Sequence, residues 1–414
     1  MIRMLLPCVA WLASMSAATA TDYYVDINGT APGTGTLADP FTSIQYAATR
    51  PYLLPDDTLL VAPGTYVGNI TNLFCDARSL AGPEVTVIAP STTGDTVTID
   101  GLWVTLEGFT VLPPLPPYNA GFPSNVFVYE GSLKRCVLRN DGARKNGGIW
   151  VELSGTLRDC TITGLTRGVF INGFGASCHM HDSIITGNVM DVAFSQQSAP
   201  GVLIAYCAGI SNVDPNVNGP GNLQGNVGFW DAARPDHHLQ PGSVCIDAGD
   251  PASPLDPDGS RHDIGAYTFQ ASYAPAPASF CAGKSNSDGC VPAIGSSGVA
   301  SATSPAPFLI SASNEVANKP GLLMVGVGKV NHAFQGGRLC VASPIKRAGI
   351  QSSGGAGACA GSFVFDMAAH IQSGAQPSLI PGAYVACQWW GRDPLDPAGF
   401  GSSLSDAISF GIAP

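Results

Sequence analysis

LEGFTVLP (106–113), LKRCVLRN (133–140), LRDCTITG (157–164) and MHDSIITG (180–187) line up as four copies of one pattern, and a weaker fifth, IAYCAGIS, begins at Ile204. Their fourth positions are Phe109, Cys136, Cys160, Ser183 and Cys207, so the pattern recurs after 27, 24, 23 and 24 residues. A fixed period of this size is the signature of a solenoid, in which each repeat buries its apolar face only by stacking on the next. The long first interval holds LPPLPPYNAGFP (112–123), a proline-rich stretch that cannot sit inside a sheet and reads as a loop thrown out of one coil.

Within a copy, apolar side chains take the first and sixth positions: Leu133 with Leu138, Leu157 with Ile162, Met180 with Ile185. They flank the small or apolar fourth position. An amphipathic helix does not give that spacing. Strand, bend, strand does, because the bend resets the two-residue alternation and lets all three side chains point inward. Further β-rich segments, NVFVYEG (125–131), GGIWVEL (147–153), GVFING (168–173) and MDVAFSQ (190–196), complete the coils. Two or more parallel strands per period make a β-helix.

Outside the repeats, YYVDINGTAPGTGTLADPFTSIQYAAT (23–49) followed by DDTLLVAPGTYVGNI (56–70) resembles the N-terminal cap and first coil of the pectate-lyase-like right-handed parallel β-helix superfamily. CIDAGDPASPLDPDGSRHDIGAY (245–267) resembles the segment that ends many bacterial β-helix proteins. Together the resemblance spans about residues 22–270. It implies a single-stranded right-handed parallel β-helix with a capping helix over about Ser43 to Thr49. It does not imply one activity, since the same scaffold carries lyases, hydrolases, epimerases and adhesins.

ASYAPAPAS (271–279) is a Pro/Ala/Ser linker. Beyond it, short β-rich runs with turn signals about every ten residues predict a small β-sandwich-like domain over 280–414. This tail resembles a C-terminal module found at the ends of large exported proteins of planctomycete-like bacteria. Cys281 with Cys290 and Cys340 with Cys359 are its expected disulfides, leaving Cys387 over.

The chain opens MIRMLLPCVAWLASMSAATA, with a basic Arg3, a short apolar core and a small-residue cleavage site, the pattern of a signal peptide over 1–20. The expected organisation is thus a leader, a β-helix over 21–270, a linker and a C-terminal β domain, in a secreted or cell-surface protein. Fifty Gly, 33 Pro and only 12% charged residues suit a turn-rich β protein. A net charge of −11 with no basic cluster argues against nucleic acid, and no apolar run is long enough for membrane insertion. A monomer is expected.

Alternation predicts Val128, Val151, Ile171 and Val192 inward and Tyr129, Trp150, Phe170 and Asp191 outward, with Glu130, Glu152 and Asn172 nearby. Aromatic rings along a sheet face are what sugar rings stack on, while amides and carboxylates bond the hydroxyls. Tyr129, Trp150, Phe170 and Asn172 are therefore candidate ligand-binding residues; ordinary packing beneath a loop is the competing reading. Four residues are candidate catalysts. Glu152 and Asp191 would be the carboxylate pair of a glycoside hydrolase, at a separation near or beyond the long end for such a pair. Arg144 and Lys145 would be the proton-abstracting bases of a lyase. Asp256, Asp258 and Asp263 lie in the densest carboxylate cluster, the chemistry Ca²⁺ takes, though Asp also builds turns. Cys136 and Cys160, at equivalent positions of adjacent coils, are either an inward stack or a disulfide. The sequence thus points to an exported β-helix protein that binds polysaccharide or another surface component, with a polysaccharide lyase or glycoside hydrolase as the alternative.

Overall fold

A computed structural model describes residues 20–116, 123–142, 146–173, 175–195, 201–211, 215–231 and 236–414. Residues 1–19, where a leader is expected, Arg144, Lys145 and part of the loop over 112–123 lie outside the described residues. Two compact units result. One comprises the described residues up to Gly225 with Gly249–Ser253 and Ile264–Ala266, the other Asn226–Ala248, Pro254–Asp263 and Tyr267–Pro414.

The first unit is a right-handed parallel β-helix. One ladder of parallel strands runs Asp22–Val25, Thr58–Val61, Asp76–Ser79, Val97–Glu107, Val126–Lys134, Ile149–Arg158, Arg167–Ile171 and Met190–Phe194. A second runs Gly64–Val67, Thr86–Ala89, Thr110–Val111, Val137–Arg139, Thr161–Thr163 and Ile184–Thr186. Register follows the repeat: Leu106, Leu133, Leu157 and Met180 are successive partners, continued by Ile204, as are Val111, Leu138, Ile162 and Ile185. All nine are buried in one continuous core.

The bend expected between the first and fourth positions has a definite backbone form. The residue before each fourth position has positive φ: Gly108 at 81°, Arg135 at 50°, Asp159 at 53°, Asp182 at 46° and Tyr206 at 51°. This left-handed step swings the chain from one ladder into the next. It costs a non-glycine residue roughly 1–2 kcal/mol, which the coil offsets by burying Phe109, Cys136, Cys160, Ser183 and Cys207 beneath it. Cys136 and Cys160 are free thiols, so the stacked reading holds and the disulfide does not. Burial pushes Cys136 up to about 12 and Cys160 well above its ordinary value, leaving both as small apolar side chains at neutral pH.

The capping helix is Ile44–Ala48, with the Ser43 hydroxyl accepting from the Tyr46 N–H at 3.2 Å. Ile44, Ala47 and Ala48 join the core at the N-terminal end of the solenoid.

In the second unit, an antiparallel sheet orders Ala278–Phe280, Ser402–Gly411, Tyr384–Arg392, Pro320–Val327 and Lys346–Ser352; a smaller one orders Ala293–Ser297, Leu309–Glu315 and Gly361–Asp366. Ile310 and Phe363 of the small sheet share a core with Leu323, Val385, Trp389 and Phe410 of the large one, in the manner of a sandwich. Phe363 stacks on Trp389 at 4.9 Å between centroids. The disulfides are Cys281–Cys340 and Cys290–Cys359, not the local pairs expected from spacing. The pairs join cysteines 59 and 69 residues apart in the chain, Cys340 in the strand Gly337–Val341 and Cys281, Cys290 and Cys359 outside the strands, which nearest-neighbour spacing cannot register. Cys387 is indeed left over, buried in the central strand.

Candidate functional site

Three consecutive coils of the first ladder carry aromatic side chains at one register position. Phe127, Trp150 and Phe170 are successive Cα partners, preceded by Thr98 and followed by Ala193. Each is half-buried, while its neighbours Val126 and Val128, Ile149 and Val151, Val169 and Ile171 are buried. Alternation alone therefore turns the rings out of the core.

Trp150 and Phe170 lie 4.6 Å apart at 53°, and the Arg167 guanidinium carbon sits 4.6 Å from the Phe170 centroid. These three side chains, with Asn146, Thr166 and Ser124, line a half-open concavity of about 410 Å³, its mouth included. The Thr166 hydroxyl donates to Asn146 Oδ1 at 3.0 Å. The wall beside Trp150 is Gly147-Gly148, both at φ near 130°, where a Cβ would fall 2.1 Å from Asn125 Oδ1 and 1.7 Å from the Arg167 carbonyl oxygen. Only glycine lets the chain pass there.

The indole is held in place. Trp150 Nε1 donates to Glu152 Oε2 at 2.8 Å, and Asn172 Nδ2 donates to the same oxygen at 2.8 Å. Glu152 thus spans two coils and fixes the Trp150 ring and the Asn172 amide together. Three of the four expected ligand-binding residues, Trp150, Phe170 and Asn172, meet at one place with Glu152.

Tyr129 does not join them in register. Between Val151 and Ser154 the chain slips against its neighbour, so that Ser154 pairs with Glu130; the coil partner of Trp150 is Phe127. Aligning Val126-Phe127-Val128 with Ile149-Trp150-Val151 would have found it. Nothing in the repeat marks Arg167.

Asp191 faces inward, contrary to expectation. It is buried, its Oδ1 accepting from the Asn188 N–H at 3.3 Å and Nδ2 at 3.1 Å, its Oδ2 from the Ser211 N–H at 2.9 Å and hydroxyl at 2.6 Å. Those bonds tie one turn to the next and leave no second carboxylate facing Glu152 from that position. Ala193 holds the outward position instead.

The Asp cluster is likewise occupied by its own loop. Asp263 accepts from the Asp247 N–H at 2.7 Å on one oxygen and from the Phe269 N–H at 2.6 Å on the other; Asp256 accepts from the Asp263 N–H at 2.9 Å and faces His262 at 3.2 Å; Asp258 accepts twice from Ser260. Burial and then the Asp263 charge push Asp256 up to about 6, which His262 partly opposes. Carboxylates so committed to backbone N–H groups do not fit a Ca²⁺ cage, which needs several converging free oxygens.

A second polar group, around Asp182, is closed. Its Oδ1 accepts from the Asp250 N–H at 2.7 Å, and its Oδ2 meets the Ser253 hydroxyl at 2.8 Å, Arg158 at 3.4 Å and His181 at 3.1 Å. Burial raises this carboxyl, but the hydrogen bonds outweigh burial and hold it below its usual value. It is a buried clamp for Gly249–Ser253. Among the described residues no helix is long and apolar enough to cross a membrane.

No family model matches the chain, and no curated protein does. Among solved structures it is similar to the crystal structure of pectate lyase Pel9A, at 13% identity and a TM-score of 0.33, over 62% of this chain and 98% of that one. So distant a likeness carries nothing about activity, and the β-helix assignment stands on the ladders themselves.

Proposed function

We propose that the protein is an exported β-helix protein, secreted or held at the cell surface, that binds polysaccharide on the outward face around Trp150, Phe170 and Asn172. The observation that carries this reading is the fixed pair of rings: Trp150 is set against Phe170 and pinned through Nε1 to Glu152 beside an open concavity. A ring already immobilised loses little freedom on meeting a sugar, so more of each stacking contact appears as affinity. The same reading places a leader over 1–20, the β-helix over 21–270, a linker over 271–279 and a separately folding C-terminal β domain over 280–414.

The test is a panel of neutral and uronate polysaccharides, scored for retention of the full chain and for released product. Retention without reducing ends or unsaturated oligosaccharides is the expected result, and Trp150→Ala should weaken it about five-fold or more, stacked contacts contributing on the order of 1 kcal/mol each. Release of product by the wild type would replace binding with degradation. Equal retention of wild type and Trp150→Ala would remove the site.

A further inference from the structure

The corner where each coil turns from the aromatic segment into the repeat segment carries a second row of exposed rings and carboxylates. In the Val97–Glu107 strand Asp100 pairs with Glu130, and the next partners are Thr105 and Ser132, so residues 101–104 are extruded against a single residue, Gly131. The extruded tip holds Leu102 and Trp103, and Trp103 is 89% exposed. On the next coil the corner exposes Tyr129, and on the third Leu153. Trp103 buries almost nothing, so folding does not account for an indole there.

The same corner is negatively charged. Asp100 is exposed and Glu130 half-buried on adjacent coils, and Glu152 follows on the third. Among the described residues neither Asp100 nor Glu130 has a basic partner. Carboxylates on successive rungs, about 4.8 Å apart, repel a polymer bearing a carboxylate on every ring, yet they accept strongly from sugar hydroxyls. Arg167 on the Phe170 ring supplies a donor and discourages a polycation.

We infer that the occupant of the Trp150–Phe170 site is an uncharged polysaccharide, lying along the helix axis and anchored a second time by Trp103, two coils or about 10 Å away. This rests on the binding reading above. Trp103 and Tyr129 stack sugar faces, while Asp100 and Glu130 take hydroxyl hydrogens and exclude uronates.

Affinity electrophoresis of the full chain through hydroxyethyl cellulose, galactomannan, polygalacturonate and chitosan tests it, at low and at high salt. The expected pattern is retardation by at least one uncharged polymer, insensitive to salt, and none by polygalacturonate. Trp103→Ala should weaken that retention about five-fold with an unchanged melting temperature, one stacking contact being lost. Asp100→Asn with Glu130→Gln should admit polygalacturonate. Retardation by polygalacturonate or chitosan in preference leaves the binding reading standing and overturns the uncharged class. Uncharged binding that ignores Trp103→Ala removes the second anchor. No retardation by any polymer sinks both.

Discussion

The two units use cysteine in opposite ways. In the solenoid Cys75, Cys136, Cys160, Cys178 and Cys207 are free and buried, stacked among Leu and Ile side chains in one continuous core. In the C-terminal unit four of five cysteines from Cys281 onward are paired, across 59 and 69 residues of chain. The difference is one of connectivity. A parallel coil contacts the coil before and after it, about 24 residues away, and every rung adds apolar burial, so a thiol contributes simply as a small hydrophobe. The antiparallel unit closes long loops between strands remote in sequence, and a covalent link there removes much of the freedom of the unfolded chain.

Reduction breaks this comparison most directly. Loop-closure entropy for bonds spanning 59 and 69 residues is about 4 kcal/mol each, a large part of any domain's stability. Hydrogen exchange of the full chain in dithiothreitol should show amide protection falling across Pro320–Val327 and Tyr384–Arg392 and persisting across Val126–Lys134 and Ile149–Arg158. Equal loss in both sets would mean that the disulfides are not what separates the two units.

The next effect is a pH dependence confined to the C-terminal unit. Glu315 is buried; burial raises its carboxyl most, the Ser403 hydroxyl donating at 2.6 Å opposes that, and the Asp393 charge adds to the rise, giving about 7 against an ordinary 4.5. Below 4.5 both folded and unfolded chains keep this proton. Between 4.5 and 7 the unfolded chain releases it and the folded one retains it, so stability falls as pH rises, levelling off above 7. At about 1.4 kcal/mol per pH unit the loss is on the order of 3 kcal/mol. Glu315→Gln should flatten the slope for exchange in Tyr384–Arg392 and leave solenoid strands unmoved; an unchanged slope would locate the titration elsewhere.

How much of this was legible in the sequence follows from the same contrast. The solenoid writes a local rule repeatedly, so Leu133, Leu157 and Met180 announce their stacking by spacing alone. Gly108 even marks the left-handed bend that Arg135, Asp159 and Asp182 conceal. Trp150 and Phe170 follow from two-residue alternation. What alternation alone does not choose is which outward neighbour of Val128 shares the row: Phe127 lies before it as Trp150 lies before Val151, while Tyr129 lies after it, next to the irregularity that follows Val151. Asp191 departs from alternation because Asn188 of its own turn and Ser211 of the next coil hold its carboxylate in, an interaction no strand pattern encodes. The C-terminal disulfides were illegible for the reason that makes them stabilising, since partners distant in sequence leave no local trace.

The smallest effect probes the bend itself. Arg135 is exposed and held at φ 50°, and its N–H donates to the Arg158 carbonyl at 3.1 Å, a bond that survives any side-chain change except proline. Arg135→Gly removes roughly 1–2 kcal/mol of left-handed strain and adds about 0.5–1 kcal/mol of unfolded-state entropy, so it should be neutral or stabilise by up to about 1.5 kcal/mol. Arg135→Val, with a branched Cβ in the left-handed region, should destabilise by about 1–2 kcal/mol, of the order found for strained backbone positions. Asp182 occupies the equivalent position at φ 46° but holds four groups with its carboxylate, so Asp182→Gly should lose stability despite the same relief. Thermal melts of the three variants in the full chain separate the terms. A gain at Arg135 with a loss at Asp182 identifies backbone strain as the common cost of every bend and the carboxylate clamp as a local addition to one of them. A loss at Arg135→Gly greater than about 1 kcal/mol would show that the bend is not strained at all, and the repeated positive φ would then need another cause.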